Sequence, residues 1–185
     1  LMMGVFSIIG GGVSWSFWRK YDCFILKPTM PILKWSLVFL VLGNSLVAIM
    51  VDLNIGFAED INAPFPCSLL FYPTIGFFVE VLFHIFPLLL ILSLVYRFFQ
   101  YSNPKLNWWP YIGLVAMLEP TFQIFFMDEF SIGPIIVVWL NIYFFNLVQL
   151  YTYSKIGFIS MYLLRLLYYF NWHIIWGYYR LYIIY

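Results

Sequence analysis

LLFYPTIGFFVEVLFHIFPLLLILSLVY, residues 69–96, is an apolar run that carries Glu80 and His84 near its middle. An α-helix rises about 1.5 Å per residue, so about 20 residues cross the hydrocarbon core of a bilayer. This stretch is long enough to span. Ionisable groups at membrane depth are costly, so they face a bundle interior and mark a site. The spacing of four places Glu80 and His84 on one face of the helix, one turn apart.

Outward from it lie four more apolar runs of spanning length, 32–51, 108–127, 132–153 and 158–179. A shorter apolar segment, 1–18, reads as a truncated first span, because Arg19 and Lys20 follow it whereas a signal peptide carries its positive charge in front. The expected fold is all-α: a polytopic transmembrane helix bundle of five full spans plus that truncated N-terminal one, with residues 1–185 forming a single integral membrane domain. Short connections make neighbouring helices antiparallel, and no internal repeat is evident.

Composition points the same way. The chain is 64% hydrophobic and 24% aromatic, with 9% charged residues, against about 25% charged in an ordinary soluble domain. A net charge of +1 and the absence of nucleic-acid-binding motifs exclude nucleic acid as a partner. The expected partners are the lipid bilayer and other membrane protein subunits. Cys23 and Cys67 fall on opposite sides of the membrane in this reading, so no disulfide joins them, and no metal-binding cysteine spacing occurs.

Arg19, Lys20, Lys27 and Lys34 precede the first full span, Arg97 and Lys105 follow the second, and Lys155 follows the fourth. Asp52, Glu59, Asp60, Asp128 and Glu129 occupy the loops between. The positive-inside rule makes the basic loops cytoplasmic. Pro73 and Pro87 interrupt the second span, Pro120 the third, and Pro134 opens the fourth. Proline frees a backbone carbonyl and kinks a helix, so the kinks at Pro87 and Pro120 adjoin His84 and Glu119.

Depths counted along the helices place Glu80, Glu119, Asn141 and His173 in one layer in the outer half, roughly 8 to 16 Å below the outer ends. His84 lies a turn below Glu80, and Gln123 shares a face with Glu119. Asn146, Gln149 and Arg165 form a second layer toward the cytoplasm, with Arg165 close enough to the interface to snorkel. His173 stands between Trp172 and Trp176, as in an aromatic belt.

The segments Glu119-Pro120-Thr121-Phe122-Gln123, Phe145-Asn146-Leu147-Val148-Gln149 and His173-Ile174-Ile175-Trp176-Gly177 together resemble a degenerate version of the CPBP family of glutamic intramembrane proteases (the CAAX-protease and bacteriocin-processing family). The resemblance covers about residues 108–180. That family carries EExxxR on one span, FxxxH on the next and HxxxN on a later one, and its glutamates and histidines are held to activate a water for peptide hydrolysis. Glu119, Phe145 and His173 match. Pro120 stands at the second glutamate, Gln149 at the motif histidine, and the arginine and asparagine are absent. The resemblance implies either a protein without activity or a site that recruits Glu80 and His84 as replacements.

The leading functional expectation is an accessory or structural subunit packed in a larger membrane assembly. Its alternative is an intramembrane hydrolase, with Glu119 as general base, His173 as acid or oxyanion donor, and Glu80 and His84 orienting the water. A further alternative is a haem- or pigment-binding subunit with His84 and His173 as ligands. A proton or ion path through Glu80, Glu119 and His173 is a fourth.

Overall fold

The computed structural model describes residues 35–58, 61–99, 108–125 and 132–184. The expected span at 1–18, the basic groups Arg19 to Lys34 and Lys105, the acidic groups Glu59, Asp60, Asp128 and Glu129, and Cys23 lie outside the described residues. Cys67 is a free, exposed thiol.

The described residues are helical, with no strand among them. Helix α1, Trp35–Ile55, is a run of Leu, Val, Ile and Phe without proline. It stops at Gly56, whose φ of 62° ends the helix and whose N–H bonds to the Asp52 carbonyl at 2.7 Å. Helix α2, Ser68–Val79, continues through a π-helical turn, Glu80–Ile85, into α3, Phe86–Phe99. The wide turn is where the Phe86 N–H reaches back five residues to Val81. It lies directly ahead of Pro87, which has no N–H to continue the regular ladder.

The run expected at 108–127 is broken into α4, Trp109–Ala116, and α5, Leu118–Ile124, with a turn at Met117. Pro120 is the cause. In a continuous helix residue 120 would donate to the Ala116 carbonyl, and proline cannot. The Asn146 side chain, from the neighbouring helix, donates to that carbonyl instead at 3.2 Å.

Helix α6, Ile132–Lys155, ends before Gly157, which has a φ of 120°. Helix α7, Phe158–Tyr169, runs on through a π-helical segment Phe170–Trp176, the short α8, Gly177–Tyr179, and a last π-helical turn, Arg180–Ile184.

Helices α6 and α7 are the spine: α1 packs on both, α2 on α7, and α4 and α5 on α6. Two apolar cores result. One gathers Leu88, Leu92, Val115, Leu150 and Met161; the other gathers Val41, Tyr72, Phe145, Leu164 and Trp172. Large apolar side chains also cover the outside, among them Leu70 at 79% exposure and Trp35 and Ile132 at 76%. Among the described residues, three helical stretches are long and apolar enough to cross a membrane: Trp35–Ile55, Ser68–Val95 and Ile132–Lys155. Apolar side chains turned outward on such helices are what an integral membrane protein presents to lipid.

Candidate functional site

Three helical segments bring four ionisable groups together. Glu80 and His84 come from the π-helical turn, Glu119 from α5, and Arg165 from α7. Arg165 lies on the buried stripe of its helix with Met161, Leu164, Tyr168 and Tyr169. It reaches α2 because the helices touch at Gly76. A Cβ added there would stand 3.0 Å from the Tyr169 ring and 3.3 Å from Arg165 Cγ.

The guanidinium is shared between two carboxylates. Nη1 and Nη2 donate to Glu119 Oε1 and Oε2, each at 2.9 Å, and Nε donates to Glu80 Oε1 at 2.8 Å. This is the paired-fork geometry that makes Arg–carboxylate contacts strong. Gln149 Nε2 also donates to Glu80 Oε1, and Gln123 Nε2 to Glu119 Oε1 at 3.1 Å. Phe145 and Tyr169 lie against the guanidinium carbon at 5.2 and 5.5 Å from their ring centres, within cation–π range.

His84 sits between the acids. Its Nδ1 is 3.0 Å from Glu80 Oε2 and its Nε2 is 3.6 Å from Glu119 Oε2, with neither nitrogen aligned as a good hydrogen bond. Glu80 and His84 are fully buried, Arg165 is 1% exposed and Glu119 3%. Two carboxylates against one guanidinium leave one negative charge.

The two-layer reading of depth is therefore corrected. Gln149 and Arg165 do not form a separate cytoplasmic layer: both bond to Glu80. Arg165 does not snorkel, because its partners lie inside the bundle.

His173 is in a different place. It lies on the wall of a cavity of about 420 Å³ that Arg165, Glu119, Gln123 and Asn141 also line. The cavity separates it from Glu80 and His84, which are not part of the wall. Its ring stacks on Tyr72 at 4.2 Å between centres and meets the edges of Tyr169 and Trp172. The aromatic setting read from the sequence is present.

No family model matches the chain, and neither a curated protein nor a solved structure does.

Behind His173 lies a second buried ionic group that sequence reasoning missed. Asp52 Oδ2 pairs with Arg180 Nε at 2.9 Å and accepts from Trp176 Nε1 at 2.7 Å, while its Oδ1 accepts from the Phe57 N–H at 2.9 Å. Arg180 Nη1 donates to Asn62 Oδ1 at 2.9 Å, and Nη2 donates to the Phe57 carbonyl. Asp52 had been placed in an acidic surface loop, yet it is 4% exposed. The signal was available: Arg180 closes the last apolar run at the same end as Asp52, and it is the basic residue that departs from the alternation of loop charge.

Among the described residues, no group of three His, Cys, Asp or Glu side chains is arranged to hold a metal ion. His84 faces carboxylates, and His173 Nδ1 lies 3.3 Å from Asn62 Nδ2. The structure does not bring the two histidines onto one ligand position.

Proposed function

We propose that this chain is a multi-pass membrane protein of five full spans with its basic loops cytoplasmic, and that the Glu80–His84–Glu119–Arg165 group is the packing device of the bundle. The third and fifth of those spans are the broken α4–α5 unit and the extended helix from Phe158. On this reading the protein is an accessory or structural subunit, and its apolar exterior packs against lipid and other membrane subunits.

The observation that carries the reading is the engagement of Glu119. Both of its oxygens are held by the Arg165 fork, and Oε1 also by Gln123, so the carboxylate ties α5 to α7. A buried group of this kind acts best as a specificity device, since only one arrangement of the helices satisfies all its members. Purification in mild detergent tests the assignment: co-migrating membrane subunits are expected, and a stable lone monomer counts against it.

A hydrolase of degenerate CPBP type is the second reading, favoured by Glu119, Asn141 and His173 lining one cavity. Arg165 would supply the guanidinium that the motif on the Glu119 helix lacks, and Glu80 the second glutamate. Loss of intramembrane processing in Glu119→Gln, with folding intact, is what this reading requires.

A further inference from the structure

The cavity beside the ionic group has a polar wall whose hydrogen-bonding sense can be derived. Arg180 Nη1 donates to Asn62 Oδ1. That contact fixes the orientation of the Asn62 amide, so the atom turned toward His173 is the NH₂ group, 3.3 Å from Nδ1. Nδ1 must then accept. A neutral imidazole that accepts at Nδ1 carries its proton on Nε2. Nε2–H is the polar atom of the ring left for the cavity that His173 lines. The chain Asp52–Arg180–Asn62 thus sets the tautomer of His173 from outside the cavity.

The lining also offers an acceptor. Gln123 gives its NH₂ to Glu119, which leaves its carbonyl oxygen for the cavity. Glu119 there is paired with Arg165. Phe145, Tyr168, Tyr169 and Trp172 line the cavity as well. The volume of about 420 Å³ lies in the range of small-molecule sites, about 300 to 1,000 Å³.

We propose that this cavity binds the head of an uncharged acyl ester, a monoacylglycerol-like lipid. The ester carbonyl accepts from His173 Nε2–H, a hydroxyl donates to Gln123, and the chain lies along the aromatic rings. The proposal needs no basicity at Glu119, so it is independent of whether the ionic group is structural or catalytic.

The test uses the full chain in maltoside micelles, whose detergent has no carbonyl, with histidine ring ¹⁵N labelling. The chain contains two histidines, so His173 can be assigned by comparison with His84→Gln. The expected result is an Nε2–H tautomer for His173, with its ¹⁵N signals moved by 1-decanoyl-glycerol and not by decanoate. Asn62→Asp keeps an acceptor for Arg180 but turns a second acceptor toward Nδ1. It should move the proton to Nδ1 and weaken 1-decanoyl-glycerol binding by about tenfold, the loss of about one hydrogen bond. An Nδ1–H tautomer in the unaltered protein would overturn the proposal. So would decanoate binding as tightly as the ester, or an ester affinity unchanged by Asn62→Asp when the tautomer has switched.

Discussion

Arg165 and Arg180 are each 1% exposed, and each stands at the centre of a buried ionic group, yet the two groups are built differently. Among the described residues, Arg180 pairs with Asp52 and also bonds Asn62 and backbone carbonyls of the segment after α1. Arg165 meets two carboxylates and has His84 between them. Its group holds one more carboxylate than it holds guanidinium groups. The Arg180 group fastens a loop to the end of the last helix. The Arg165 group joins α5, α7 and the π-helical turn, three segments distant in sequence. Buried charge therefore joins different things here: a loop and a helix in one group, three helical segments in the other.

The comparison breaks if the two arginines prove equivalent. Arg165→Met leaves two buried carboxylates without a cation and should cost at least the ~3–5 kcal/mol seen when one partner of a buried pair is removed, read as loss of thermal stability in detergent. Arg180→Met leaves Asp52 with Trp176 and the Phe57 N–H still donating to it, so a smaller loss is expected in the same assay. Equal losses would mean that the second carboxylate adds nothing.

Asn146→Leu sharpens the point about the break at Met117. It strips the Ala116 carbonyl of its donor and should cost about 1–3 kcal/mol, the penalty of an unsatisfied buried acceptor. The effect should vanish if Pro120→Ala restores the helical N–H in the same chain. Smallest, Trp176→Phe removes one hydrogen bond to Asp52 and should cost about 1.5 kcal/mol, with little change at Arg165.

Much of the helical layout was legible. Apolar runs of spanning length became α1, the α2–α3 unit and α6, because length and composition alone decide such segments. The pairing of Glu80 with His84 followed from helical spacing. What composition does not encode is where a helix departs from its regular ladder. The π-helical turn at Glu80–Ile85 and the break at Met117 are two such departures. A count of charge would have recovered Arg165. Two carboxylates buried among apolar helices demand a cation, and Arg165 is the basic residue inside a run that can supply it. Asn62 carried no signal, since its role depends on Gly177: a Cβ there would stand 2.8 Å from Asn62 Nδ2, and only glycine leaves room.

The central claim is that Arg165 is held in the bundle by the charge of Glu80 and Glu119, which in turn hold the helices in register. It is tested most directly by comparing Arg165→Met with Arg165→Met/Glu80→Gln/Glu119→Gln in thermal unfolding. The account predicts that the single variant is severely destabilised and that the triple recovers most of the loss, because no unpaired charge remains buried. A triple variant as unstable as the summed single effects, or an Arg165→Met protein as stable as the parent, would contradict it.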